Sequence, residues 1–130
     1  MGETNKSVRA VSRSPDGCAA IAETLSRIGD KWTVLVIANL SRGEPLRYSE
    51  LRRSIDGISQ RMLTLTLKGL EQDGLVTRTV YPTIPPRVDY ALTALGQKLV
   101  EPLRALYDWA VEHRPDMLAA RERFEARPGE

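Results

Sequence analysis

A single cysteine, Cys18, and a single histidine, His113, are the whole supply of thiol and imidazole groups in these 130 residues. One cysteine excludes an internal disulfide and suits a reducing compartment. No pair of His and Cys has zinc-site spacing, and no glycine-rich loop could cradle a phosphate. His113 sits beside Arg114 and Pro115 and reads as a surface residue, while the acidic residues are dispersed among basic ones, as on solvated helix faces. Hydrolase or oxidoreductase chemistry therefore has no residues to run on, and neither a metal nor a cofactor is expected. Long hydrophobic runs are also missing. No segment could span a bilayer, and MGETNKSVRAVSRSPDG at the N-terminus lacks the apolar core of a signal peptide, so the expected location is the cytoplasm.

What is present is ordinary for a globular chain: 28% charged residues and 42% hydrophobic ones in 14.5 kDa, which is the size of one domain. The net charge of +2 is unevenly placed. Between Arg42 and Arg87 eight basic residues face five acidic ones, whereas the remainder carries eleven against twelve. The surplus of positive charge thus lies in one stretch, as counterion release from a nucleic acid requires.

Hydrophobic spacing orders the chain. Residues 1 to about 16 are polar and read as a flexible arm. Cys18, Ile21, Leu25 and Ile28 recur at helical spacing, and Gly29 interrupts them. Asp30 can cap a second helix, KWTVLVIANL, whose apolar character all round places it in the core. Tyr48, Leu51 and Ile55 mark a short third helix that Gly57 ends. A fourth helix runs from the candidate cap Ser59 towards Gly74. Its Met62, Leu63, Thr66, Leu67 and Leu70 form the side expected to be buried; Gln60, Arg61, Thr64, Lys68 and Glu71 form the outward side. LVTRTVY and RVDYALT are β-rich runs around PTIPP, whose prolines restrict the loop. Thr93 opens a last helix through Trp109, and residues 114–130 read as a charged tail with room for a short helix of its own. The expected fold is mainly α with a small β-hairpin: a winged helix-turn-helix domain over residues 17–113, with additional helices at both ends.

That order is a device for gripping duplex DNA. A helix in the major groove must offer donors to base edges and phosphates, and Ser59, Gln60, Arg61, Thr64 and Lys68 supply them over two turns. Arg47, Ser49, Arg52 and Arg53 on the preceding helix can hold the backbone and set register. Arg78, Tyr81 and Arg87 flank the wing. Leu65, on the rim of the outward face, is expected to pack against the wing or the preceding helix, with a thymine-methyl contact as the other reading. The rival from another class is a winged helix that docks an acidic protein partner and has no sequence-specific DNA binding.

The last helix points to a homodimer. Leu95, Leu99, Leu103, Leu106, Trp109 and Ala110 form one apolar stripe, and Val100, Tyr107 and Val111 widen it beyond the needs of one small core. Pro102 is expected to kink this helix or mark a restart. Two-fold pairing through both ends would set two reading helices against a near-palindromic site. A small effector could enter a pocket at the dimer interface lined by Trp32, Tyr107 and Trp109, although these aromatics also read as core. Cys18 has two readings as well, an oxidant sensor close to a helix N-terminus or a small buried hydrophobe.

These residues resemble the HxlR-type winged-helix transcriptional regulators, relatives of the MarR-like regulators. The resemblance rests on Cys18, Gly29-Asp30-Lys31-Trp32, Arg47-Tyr48-Ser49-Glu50-Leu51, Ile58-Ser59-Gln60-Arg61-Met62-Leu63, Leu70-Glu71-Gln72-Asp73-Gly74-Leu75-Val76, Pro86-Arg87-Val88-Asp89-Tyr90, Leu92-Thr93 and Trp109. Ala19 and Tyr48 depart from it, where the family often shows Pro and Phe. The resemblance implies a homodimer on inverted-repeat operator DNA that represses or activates nearby genes. It also implies, for some members, sensing of electrophiles or oxidants through a cysteine at the Cys18 position.

Overall fold

The structure is a computed structural model that describes residues 14–129. The elements run α1 (Pro15–Ile28), α2 (Lys31–Leu40), β1 (Leu46–Arg47), α3 (Tyr48–Ser54), α4 (Gln60–Gln72), β2 (Val76–Tyr81), β3 (Arg87–Leu92) and α5 (Ala94–Glu125).

Ser14 caps α1 by accepting the Gly17 N–H, and Pro15, with its φ preset and no N–H to lose, fills the first turn. Helix therefore begins two residues inside the stretch expected to be an arm; the rest of that arm, residues 1–13, lies outside the described residues. Only Ile28 of α1 is buried. Ile21 and Leu25 are half exposed, at 52% and 56%. A bidentate ion pair from Arg27 to Asp73, at 2.8 and 2.9 Å, ties the end of α1 to the end of α4.

α2 is the central helix, as its all-round apolar sequence predicts, and buries Thr33, Val36, Ile37 and Leu40. Asp30 caps it, one carboxylate oxygen accepting the Thr33 N–H at 3.0 Å and the other the Thr33 hydroxyl at 3.1 Å. Leu51, Ile55 and Ile58 from the α3 region and Leu63, Leu67 and Leu70 from α4 close over it. Truncating one of these, Leu63→Ala for example, would cost about 2–5 kcal/mol.

The expected hairpin is present, β2 pairing antiparallel with β3 from Val76↔Leu92 to Tyr81↔Arg87. A third strand joins it. β1 pairs with β3 through Leu46↔Tyr90 and Arg47↔Asp89, giving the order β1-β3-β2. Two residues are too few for a periodic signal, so this strand exists through its pairing rather than through its own pattern.

The C-terminal expectation changes most. α5 is one helix of 32 residues with Pro102 and Pro115 inside it, so no separate tail helix begins after His113. Each proline deletes one backbone donor, and strong helix formers on either side (Leu, Ala, Glu, Arg, Lys) carry the helix across. Of α5 only Gly96 is fully buried.

Candidate nucleic-acid interface

The first turn of α4 is built by Ser59, whose hydroxyl accepts the Met62 N–H at 3.0 Å. With Leu63, Leu67 and Leu70 turned into the core, Gln60, Arg61, Thr64, Lys68 and Glu71 face solvent, as the helical spacing predicts. Met62 and Thr66 do not join the buried side. Met62 is exposed and Thr66 half-buried, because the core reaches only a narrow stripe of α4. Leu65 lies on the side of α4 that faces α1. It is half exposed and lines a groove with Met62, Ser26 and Arg27, between α4 and the end of α1.

Beside α4 lies a cleft of about 770 Å³, walled by Arg47, Tyr48 and Ser49 at the start of α3, Gln60 and Thr64 of α4, and the wing from Arg78 to Tyr90. Three arginines, Arg47, Arg78 and Arg87, therefore converge on one side of the outward face of α4. Arg52 and Arg53 are exposed on the last turn of α3. Glu50 orders the first turn of α3 by accepting the Arg47 N–H at 2.8 Å. Of the residues expected to grip DNA, Arg47, Ser49, Gln60, Thr64, Arg78 and Arg87 thus line this cleft, while Arg52, Arg53, Arg61, Lys68 and Tyr81 are exposed without lining it.

The wing has an internal brace. Arg87 donates to both carboxylate oxygens of Asp89, at 3.0 and 2.9 Å, and its guanidinium lies over the Tyr81 ring, 4.7 Å from the centroid. Asp89 is buried. The direct hydrogen bonds from Arg87 hold its carboxyl below the ordinary aspartate value; partial desolvation opposes this, and the charges of Arg87 and Arg47 add to it. Arg87 is therefore committed first to shaping the wing. Sequence reasoning misses Asp89, although the Arg-x-Asp spacing carries a usable signal: it places both side chains on one face of a strand.

A family model described as HxlR-like helix-turn-helix matches residues 27–117. The chain belongs to this family. It is 43% identical over 100 residues to the uncharacterized HTH-type transcriptional regulator YtfH of Escherichia coli, covering 77% of this chain and 79% of that protein. Among solved structures, the redox regulator HypR in its reduced form is 37% identical with a TM-score of 0.71, covering 77% of this chain and 98% of its own. The reduced form of the transcriptional regulator YodB from Bacillus subtilis is 36% identical with a TM-score of 0.61, covering 76% and 92%.

This HxlR-like chain is accordingly a helix-turn-helix transcriptional regulator, in a family of DNA-binding regulators rather than enzymes. No helix among its described residues is long and apolar enough to cross a membrane. Cys18 is exposed, so the reading of it as a buried hydrophobe does not hold within one chain. Within the single chain the three aromatics of the expected interface pocket have separate surroundings. Tyr107 lines a groove of about 300 Å³ with Val34, Ile37, Ser41, Val100 and Leu103, which neither Trp32 nor Trp109 borders. Trp32 packs on the core beneath Lys31, whose Nζ is 4.5 Å from the ring, and Trp109 stacks on His113, with centroids 5.0 Å apart.

Proposed function

We propose that this regulator reads an inverted-repeat operator as a homodimer in the cytoplasm, acting as a repressor. The observation that carries the reading is the outward face of α4, with Gln60, Arg61, Thr64 and Lys68 exposed beside a cleft on which Arg47, Arg78 and Arg87 converge. α4 would enter the major groove, Arg52, Arg53 and Ser49 would hold phosphates, and the wing with Tyr81 would follow the adjacent minor groove.

Exposed apolar side chains at both ends of the chain support pairing. Leu95, Leu106, Tyr107, Trp109 and Val111 of α5 and Ile21 and Leu25 of α1 are each at least half exposed in the single chain. Faces of that breadth are unusual on a monomer and normal where two copies meet. A two-fold dimer would place its two α4 helices about 34 Å apart, or a multiple of that, along the duplex. An oxidant signal is supported by exposed Cys18 and by relatives solved in two redox states, HypR oxidized and reduced and YodB reduced and diamide-treated.

The test is selection from random duplex DNA by the purified protein at near-physiological salt, with sequencing of what is retained. An enriched inverted repeat is the expected result. Retention without sequence enrichment, at a concentration where the protein is folded, would favour docking of an acidic protein partner instead.

A further inference from the structure

The hydroxyl oxygen of Tyr48 lies 3.0 Å from the Gln60 carbonyl oxygen and 2.9 Å from Thr64 Oγ1. A carbonyl has lone pairs and no hydrogen, so Tyr48 must donate its one hydroxyl hydrogen to Gln60. The second bond then has one polarity left, and Thr64 donates to the Tyr48 oxygen. Gln60 and Thr64 stand one turn apart on α4, and Tyr48 opens α3. A single phenol thus holds the first turn of the reading helix and fixes a side chain on its outer face. The phenol is itself placed by the Tyr90 ring, with centroids 6.5 Å apart.

Threonine can offer a base edge three things: one O–H donor, acceptor lone pairs and a methyl group. Here the donor is in use. Guanine N7 and O6 and thymine O4 all ask for a donor, and Thr64 has none left for them. What remains is an acceptor lone pair and the γ-methyl, on the branch not tied to Tyr48. We infer that the Tyr48 hydroxyl is a specificity-determining group, which converts Thr64 into a methyl reader that selects thymine through its C5-methyl. The inference rests on α4 lying in the major groove, as proposed above. Tyr48 acts here as a positioning residue, and Thr64 makes the contact.

The test uses the full chain and the duplex enriched in the selection, with each thymine replaced in turn by deoxyuridine, which lacks only the methyl. One position per half-site should lose about fourfold in affinity, the worth of one buried methyl-sized group. Thr64→Val keeps the shape and the γ-methyl, a second methyl standing where the hydroxyl was, and should retain affinity and the uracil sensitivity. Thr64→Ser should bind about fourfold more weakly and become indifferent to uracil at that position. Tyr48→Phe keeps the ring and frees the Thr64 hydrogen, so the thymine preference should relax while the salt dependence stays unchanged. A purely structural role for Tyr48 would instead lower affinity for all duplexes alike and leave the uracil scan as it was, overturning the inference. So would a flat uracil scan with wild-type protein, or a Thr64→Val variant that fails where Thr64→Ser binds normally. Failure of the wild type to enrich any motif would overturn the DNA reading itself, and this inference with it.

Discussion

Gly96→Ala tests how the wing root meets the last helix. Gly96 is buried in the first turn of α5. A Cβ added there would press into the Leu75 carbonyl oxygen, and would lie 3.2 Å from the Leu75 carbonyl carbon and 3.1 Å from Leu92 Cδ2. The Leu75 backbone has little room to step aside. Its oxygen accepts the Thr93 N–H at 3.0 Å, and Thr93 Oγ1 donates to the Gly74 carbonyl at 2.6 Å while accepting the Gly96 N–H at 3.0 Å. Overpacking costs about 1–3 kcal/mol, and an unyielding backbone obstacle puts the cost near the upper end, about 3. The better helix propensity of alanine offsets at most about 1 kcal/mol. The net loss is about 2 kcal/mol, a fall in Tm of about 8 °C for a chain of this length. Gly69, within α4, is the control, because nothing lies within 4 Å of its added Cβ. Gly69→Ala should gain propensity alone, about 1 kcal/mol, or roughly 4 °C. Thermal unfolding followed by circular dichroism measures both, at matched chain concentration because association shifts Tm. The reasoning fails if Gly96→Ala is as stable as the wild type, or if both alanines move Tm in the same direction.

Three further outcomes are expected. Arg61→Ala should relax base preference in the DNA selection and cost about 1–3 kcal/mol if it reads guanine, whereas Arg53→Ala should weaken all duplexes alike and flatten the salt slope by roughly one unit. Asp89→Asn should loosen the wing in a pH-dependent way. The folded-state value of Asp89 is lowered, so its stabilisation is fully present above the ordinary aspartate value of about 3.9 and is lost as pH falls through the lower folded value. Urea midpoints of wild type and Asp89→Asn should therefore differ at pH 7 and draw together as pH falls below the ordinary aspartate value; a gap that stays constant with pH would refute the brace. Mild diamide should abolish DNA binding by the wild type and leave Cys18→Ser unaffected, and an unchanged wild-type affinity would end the sensor proposal.

Much of the interface is legible in the amino-acid sequence. The outward set on α4 follows from a 3.6-residue repeat, and Ser59, Asp30 and Thr93 announce their helices because a short side-chain oxygen accepts an orphan N–H at each start. Where sequence and structure differ, a contact or its absence at long range decides the outcome. Met62 fits the apolar stripe of α4 but lies beyond the reach of the core, so periodicity overstates the buried width. Pro102 reads as a kink or a restart, yet its one lost donor does not outweigh the helix formers around it.

Sequence by itself determined the order of the first four helices and the hairpin, the caps Asp30, Ser59 and Thr93, the family and the polar face of the reading helix, because these depend on local spacings. Tertiary structure alone decided the rest. β1 exists because Leu46 and Arg47 meet Tyr90 and Asp89, far along the chain. The Tyr48 phenol is an ordinary helix-face residue in sequence, and becomes a clamp only where α3 crosses the first turn of α4. Cys18, Ile21 and Leu25 repeat at core spacing but face outward, because α1 touches the rest of the chain chiefly at its C-terminal end. A spacing can say that a face is apolar; only the packed chain says what that face meets.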